Sequence, residues 1–190
     1  MNSKKKLLVT IIALVVLLGG AYLLYTKLGE TMTPDQLGTQ ANQGAENEKQ
    51  EKVSAPDIMV YDYAGNKVYL SDYIGKPVVL NFWASWCGPC QMEMPAFQEK
   101  YLELGEEIQF LMVNVTDGSK ETLETASSFT ADQKYTFPVF YDTDSNAAIT
   151  YGVYSLPMTF FIDSEGNIAA HASGVIDSSL LQKGIDSIYS

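Results

Sequence analysis

The N-terminal part of the chain begins with a basic cluster that is followed by a long apolar run. Lysines occupy positions 4–6, and residues 7–25 carry no charge over 19 positions. An α-helix of that length spans roughly 28 Å, close to the roughly 30 Å thickness of a hydrocarbon core. This pattern predicts a single-pass membrane anchor within residues 1–27, with the lysines in the cytoplasm and the rest of the chain outside. A cleaved signal peptide with a small-residue site at 19–21 is the alternative, and the apolar run beyond Ala21 favours the anchor.

The segment at 28–52 is polar and shows no helical stripe of apolar residues. This composition is typical of a flexible linker, and a coil of this length reaches on the order of 30 Å. The remaining residues, 53–190, are numerous enough for one domain with its own core. We therefore predict three parts: an anchor, a linker and one extracytoplasmic domain.

Within that domain, short apolar runs that predict strands alternate with stretches of helical spacing. Predicted strands lie at 58–62, 67–70, 77–82, 108–115, 137–141, 158–162 and 167–171. Predicted helices lie at 91–105, 120–132, 145–151 and 177–189. The runs at 77–82 and 108–115 are almost continuously apolar, as expected of strands buried on both faces. The pattern predicts an α/β fold with a mixed central β-sheet and helices on both faces.

Composition narrows the possible functions. The chain has 12 lysines, no arginine, 23 acidic residues, one histidine and two cysteines. With the lysines at 4–6 and Lys27 set aside, eight lysines face all 23 acidic residues, so the exported part carries a net charge of −15. Such a charge argues against nucleic-acid binding. Two cysteines and one histidine are also too few for a structural zinc site, so we expect no bound metal.

The two cysteines, Cys87 and Cys90, lie where a buried strand gives way to a helix. The N-terminus of a helix favours a thiolate, so we expect Cys87 to attack a disulfide and Cys90 to resolve the mixed disulfide. Gly88 and Pro89 separate them, and proline suits a first helical turn. A purely structural disulfide is a weak alternative, because so short a loop constrains little chain entropy. The spacing predicts redox catalysis by the cysteine pair itself, without another cofactor.

Three neighbouring features belong with the cysteine pair. Trp86 precedes Cys87 and is expected to shield the thiolate and to form a docking rim. Glu93, three residues after Cys90, is expected to have a raised pKa and to take the Cys90 proton; a solvated helix glutamate is the alternative. The third feature is the pair Leu156-Pro157, which opens a strand. A cis bond there would expose the Leu156 backbone to a substrate segment, whereas an ordinary trans proline fits the sequence equally well.

The segment at 82–90, together with Glu93-Met94-Pro95, resembles the membrane-anchored thioredoxins of the TlpA/ResA type. The similarity extends over about 53–189 and includes the motifs at 55–57, 75–81, 137–139, 156–157 and 161–163. It implies a thioredoxin fold with an N-terminal β-hairpin and an insertion around 117–135. It also implies a cis Pro157 and a buried active-site glutamate at Glu93. Asn81 stands where cytoplasmic thioredoxins carry an aspartate, which leaves Glu93 to move the proton. Met158 follows Pro157 where a threonine is common, and we expect it to line an apolar groove with Met92 and Met94, with core packing as the alternative.

The expected function is that of a membrane-tethered, extracytoplasmic thiol–disulfide oxidoreductase that reduces exported clients. Apocytochrome c and methionine sulfoxide reductase are candidate clients, which would place the protein in cytochrome c biogenesis or antioxidant defence. A membrane thiol transporter of the CcdA type is the implied electron donor, and a monomer is expected. Gly-Pro between the cysteines suggests a potential nearer thioredoxin's roughly −270 mV than the roughly −120 mV of a strong oxidant. The alternatives are a disulfide-forming oxidase, a peroxiredoxin-like peroxidase and a non-catalytic binding domain.

Overall fold

A computed structural model describes residues 52–189, together with Leu18 and Leu37–Thr39. Except for Leu18, the predicted anchor lies outside the described residues, and so does most of the predicted linker. Among the residues described, no helix has both the length and the apolar character needed to span a bilayer.

The described part of the chain folds around one mixed β-sheet of nine strands in the order β1-β9-β8-β5-β6-β7-β3-β4, with β2 also paired to β9. Strands β5, β6 and β7 are parallel, and the other pairs are antiparallel. The strands are β1 Leu37–Thr39, β2 Val53–Ser54, β3 Met59–Tyr61, β4 Lys67–Tyr69, β5 Val78–Trp83, β6 Gln109–Val115, β7 Val139–Asp142, β8 Met158–Ile162 and β9 Asn167–Ser173. The helices are α1 Gly88–Leu104, α2 Leu123–Asp132, α3 Asn146–Thr150 and α4 Ser178–Asp186, with a 3₁₀ turn at Leu70–Tyr73.

The central strand β5 separates two hydrophobic clusters because successive side chains of a strand point to opposite faces. On one face, Val79 and Trp83 pack with buried residues of α1, α2 and α4. On the other face, Leu80 and Phe82 pack with α3, the 3₁₀ turn and the β3–β4 hairpin. All six residues of β5 are buried, as its continuous apolar run predicts. The predicted α/β fold, with helices on both faces of a mixed sheet and an N-terminal hairpin, is confirmed.

Helices α1 and α2 each begin three residues away from the predicted position, and side-chain caps explain both differences. Helix α1 begins at Gly88, three residues earlier than predicted, because Cys87 is its N-cap and proline is accommodated in the first turn. Helix α2 begins at Leu123 because Thr122 caps it. The residues just before it are held in a turn instead, where Asp117 Oδ1 accepts hydrogen bonds from three successive backbone N–H groups.

A short strand lies inside the segment predicted as a linker. Strand β1 pairs with the outer side of β9, with Leu37 opposite Ala172 and Thr39 opposite Ala170. Strand β2 pairs further along β9, with Val53 opposite Ile168. These pairings give hydrogen-bond partners to backbone N–H and C=O groups that would be unpaired at a free sheet edge. The polar composition of the segment did not predict this pairing.

Candidate active site

The two cysteines form a disulfide at the point where the chain leaves β5 and enters α1. Their Cα atoms are 5.2 Å apart. Cys87 is the N-cap of α1, and its Sγ accepts a hydrogen bond of 3.2 Å from the Cys90 N–H. Cys90 is fully buried, whereas Cys87 retains 3% of its accessible surface. Cys87 is therefore the sulfur that a partner can reach first. In the described part of the chain, no group of three or more histidine, cysteine or acidic side chains is placed to hold a metal ion.

The position of Cys87 favours its ionised form once the disulfide is reduced. A sulfur at the N-cap faces the free N–H groups and the positive end of the helix dipole. The Cys90 N–H already points at this sulfur. Both effects stabilise a thiolate at Cys87, and a thiolate is the nucleophile of disulfide exchange.

Glu93 lies in the core on the same helix, one turn after Cys90. Only 1% of its surface is exposed. Its Oε1 accepts a hydrogen bond of 2.9 Å from Asn81 Nδ2, and its Oε2 accepts one of 3.0 Å from the Ile176 N–H. Burial raises the pKa of Glu93 to about 7, although the two hydrogen bonds act to lower that pKa. A carboxyl group with such a pKa can take up and release a proton near neutral pH.

The polar group next to Glu93 is the side chain of Asn81, at the centre of β5. Its Nδ2 donates to Glu93 Oε1 and also to Thr159 Oγ1 at 3.0 Å. Asn81 and Thr159 stand opposite each other in the β5–β8 pairing. This network connects the carboxyl group to the strand that begins just after Pro157. The resemblance to thioredoxins indicated the importance of Asn81, whereas no sequence pattern predicted a role for Thr159 or for the Ile176 N–H.

The exposed surface beside the cysteines contains Trp86, Gly88 and Pro89. The Trp86 side chain is 46% exposed, and Lys120 Nζ lies 3.5 Å from the centre of its ring. Such a contact between a cation and an aromatic ring is attractive and restrains the ring. Gly88 and Pro89 are also exposed. The other tryptophan, Trp83, is fully buried in the core.

The Leu156–Pro157 peptide bond is cis, as the resemblance implies. Leu156 is half-buried and Pro157 is buried. Within residues 52–189, neither the N–H nor the C=O of Leu156 has a hydrogen-bond partner. The Leu156 backbone therefore keeps its hydrogen-bonding capacity for another chain.

The expected methionine groove does not form. Met158 is buried in the cluster on the face of the sheet opposite the cysteines, because β8 alternates its side chains between the two faces. Met94 is buried in the cluster that contains both cysteines, whereas Met92 is 67% exposed on α1. Met158 is thus a core residue, which corrects its expected place in a client-binding groove.

A further buried carboxylate, that of Glu121, supports the loop before the cysteines, and the sequence did not single it out. Its Oε1 accepts hydrogen bonds from the Ser85 N–H at 2.8 Å and from Asn114 Nδ2 at 2.6 Å. Its Oε2 accepts one from Ser85 Oγ at 2.7 Å. In the sequence, Glu121 follows a lysine just before a helix, which is also the pattern of a solvated helix start. Only the tertiary fold brings it beneath Ser85, two residues before Cys87.

Replacing Glu121 by alanine is expected to lower the free energy of unfolding by about 3 kcal/mol, because it leaves the half-buried donors of Ser85 and the buried amide of Asn114 without this acceptor. Urea unfolding of the oxidised protein measures this loss. Glu124→Ala, at an exposed position in the first turn of α2, is the matched control and should change stability by less than about 0.5 kcal/mol. Equal stability of the two variants would show that the Glu121 network does not support the loop.

The chain is similar to known proteins both in sequence and in fold. The sequence matches the AhpC/TSA family over residues 52–171. It is similar to the thiol-disulfide oxidoreductase ResA of Geobacillus kaustophilus, with 31% identity over 190 residues that cover 99% of each chain. The fold is similar to that of a putative thiol:disulfide interchange protein DsbE from Chlorobium tepidum, with a TM-score of 0.63, 29% identity and coverage of 72% of this chain and 95% of the other. A DsbF homologue from Corynebacterium diphtheriae gives a TM-score of 0.68 at 28% identity, covering 83% of this chain and 96% of the other.

Proposed function

The chain belongs to the AhpC/TSA family and is a thiol–disulfide oxidoreductase, and we propose that it reduces disulfides in exported proteins through Cys87 and Cys90. One observation carries the proposal. The cysteine pair lies at the N-terminus of α1, with Cys87 as the N-cap that accepts the Cys90 N–H. Behind it lies the buried carboxyl group of Glu93, whose pKa of about 7 suits proton exchange.

The proposed reaction has two exchange steps. In the first, the Cys87 thiolate attacks one sulfur of a client disulfide; the client S–S bond breaks, a Cys87–client disulfide forms, and the other client sulfur leaves as a thiolate. In the second, Cys90 gives its proton to Glu93, and its thiolate attacks Cys87 Sγ. The Cys87–client bond then breaks, and the second client thiolate leaves. Two electrons have moved to the client, its thiolates take up protons, and the domain holds the Cys87–Cys90 disulfide.

We place the client against the surface formed by Trp86, Gly88, Pro89 and the Leu156 backbone. Trp86 supplies exposed apolar area beside the cysteines, and tryptophan is enriched among residues that dominate binding energy. The N–H and C=O of Leu156, which have no partner within residues 52–189, suit an extended client segment that docks by main-chain hydrogen bonds. This surface engages the polypeptide around a disulfide rather than any one client sequence.

The location and the electron donor are part of the same proposal. The lysine cluster at 4–6 and the apolar run at 7–25 support a single-pass anchor with the domain outside the cytoplasm. A reductant in that compartment needs electrons from the cytoplasm, which a membrane thiol transporter of the CcdA type would supply to the monomeric domain. Candidate clients are apocytochrome c and methionine sulfoxide reductase. We expect the full chain in the membrane fraction, with its domain accessible to protease added outside the cell. Recovery of the full chain in the soluble fraction would contradict the anchor.

The reduction potential tests the direction of electron flow. Reduced and oxidised forms of the domain, equilibrated with a thiol buffer of known potential, should give a value nearer to roughly −270 mV than to roughly −120 mV. This value is expected because Gly88-Pro89 matches the pair found between the cysteines of general thioredoxins. A potential above about −150 mV would contradict the reducing role and would favour a disulfide-forming oxidase instead.

A further inference from the structure

The side-chain amide of Asn81 is only half satisfied. Its Nδ2 donates to two acceptors, Glu93 Oε1 and Thr159 Oγ1. Its Oδ1 is buried and accepts no hydrogen bond in this structure, although Asn81 is completely buried. Buried polar atoms without a partner are uncommon in proteins, and an amide has as much capacity to accept as to donate. The unused capacity of Asn81 lies beside the carboxyl group that exchanges protons.

The present arrangement suits only the ionised form of Glu93. Each carboxylate oxygen receives one donor, from Asn81 Nδ2 or from the Ile176 N–H. When Glu93 is protonated, its new O–H needs an acceptor, and neither of these groups can accept. A half turn of the Asn81 amide would exchange its two ends and bring Oδ1 to face Glu93. Thr159 fits either orientation, because a hydroxyl can accept from Nδ2 or donate to Oδ1.

We propose that Asn81 is a positioning residue whose side-chain amide turns over as the proton moves between Cys90 and Glu93. The amide donates to the Glu93 carboxylate, and after the turn it accepts from the Glu93 carboxylic acid. This inference rests on the proposed function, since it takes Glu93 as the acceptor of the Cys90 proton. It assigns to Asn81 the task of supporting both protonation states of a buried acid, which a fixed donor cannot do.

The surroundings of Glu93 contain few other groups that could respond to its charge. On its own helix, the titratable groups nearby are Cys87 and Cys90. Strands β5 and β8 contribute Asn81 and Thr159, and the segment before α4 contributes the Ile176 N–H, none of which titrates. The neighbouring acid on that segment, Asp177, is exposed and caps α4 through the Leu180 N–H. Asn81 is thus the side chain placed to change its hydrogen bonding with the protonation of Glu93.

NMR titration of the reduced full-length chain tests the proposal. The Glu93 carboxyl ¹³C signal and the Asn81 side-chain ¹⁵N and ¹H signals are followed from pH 5 to pH 9. We expect the Asn81 signals to change with the same midpoint as Glu93, and Glu93→Gln to abolish that change. Asn81 signals that stay constant through the Glu93 titration would overturn the proposal. This measurement uses the parent protein and does not depend on whether an Asn81 variant folds.

A variant of Asn81 measures how strongly this side chain affects the titration midpoint of Glu93. Asn81→Ala should raise the Glu93 midpoint by about one pH unit or more, because the hydrogen bond to the charged form is the stronger of the two that are lost. Asn114→Ala removes a buried amide from β6 and is the matched control, in which the Glu93 midpoint should stay in place. An unchanged midpoint in Asn81→Ala would also overturn the proposal. Neither titration needs a client. A negative titration result would therefore overturn the role of Asn81 alone, whereas a lack of reductase activity would contradict the proposed function.

Discussion

A Cys90→Ser variant is expected to accumulate covalent adducts with its clients through Cys87 and to lose turnover by on the order of 10³-fold or more. Serine cannot attack the Cys87–client disulfide, so the reaction stops after its first step. The first step itself should persist, because Cys87 keeps its N-cap position and its access to a partner. Non-reducing electrophoresis of the full-length variant shows the adducts, and mass spectrometry of the reduced bands identifies the clients.

The matched control is Cys87→Ser, which makes the same chemical change three residues earlier. This variant should lose turnover to a similar extent but should form no adducts, because Cys90 is fully buried. Adducts of equal abundance in both variants would show that Cys90 also attacks clients and would contradict the assigned order of the two cysteines. Normal turnover of Cys87→Ser would instead support a non-catalytic binding domain.

Glu93→Gln is expected to remove most of a pH dependence of stability that the parent shows between about pH 4.5 and pH 7. Burial raises the pKa of Glu93 from 4.5 to about 7, so the folded protein holds this proton more tightly than the unfolded chain does. Stability therefore falls as the pH rises above about 4.5, and the loss is complete once the pH exceeds the folded pKa of about 7. The shift corresponds to about 3 kcal/mol. Glutamine carries no such proton, so the stability of the variant should not fall in this way as the pH rises. The free energy of unfolding of the variant, relative to that of the parent, should therefore increase by about 3 kcal/mol from pH 4 to pH 8.

Urea unfolding of the oxidised parent and variant across this range measures the effect. Glu99→Gln, at an exposed position on the same helix, is the matched control and should follow the parent profile. Parallel pH profiles of the parent and Glu93→Gln would contradict the raised pKa.

In the reduced protein, Glu93→Gln should also slow release of the client from Cys87 without slowing its capture. Equal release rates at neutral pH would remove Glu93 from the mechanism.

The parts of the fold that the sequence predicted are those governed by local patterns. The apolar run of β5 required burial on both faces, and all six of its residues are buried. Asp177 marked the start of α4, and its side chain caps that helix through the Leu180 N–H. Cys87 and Cys90 needed no tertiary information, since two cysteines within one helical turn can meet without any other part of the chain.

The parts that were missed depend on contacts between distant segments. Glu121 and Ser85 are 36 positions apart, and only the fold turns an apparently solvated glutamate into the buried support of the active-site loop. The pairing of β1 with β9 likewise joins residues that are more than 130 positions apart. Met158 was misplaced for a different reason. Proximity to Pro157 in the sequence suggested proximity to the cysteines, but the alternation along β8 turns its side chain to the opposite face of the sheet.

The most direct test of the central claim is a stoichiometric transfer of electrons from the reduced protein to a protein disulfide. The reduced full-length chain is mixed with a disulfide-containing acceptor protein, and the exchange is stopped with acid. The free thiols are then alkylated, and the alkylated cysteines of both partners are counted by mass spectrometry. We expect each chain to convert one acceptor disulfide to two thiols and to be left with the Cys87–Cys90 disulfide. An acceptor that stays oxidised while Cys87 and Cys90 remain reduced, or equal reduction of the acceptor by Cys87→Ser, would contradict the central claim.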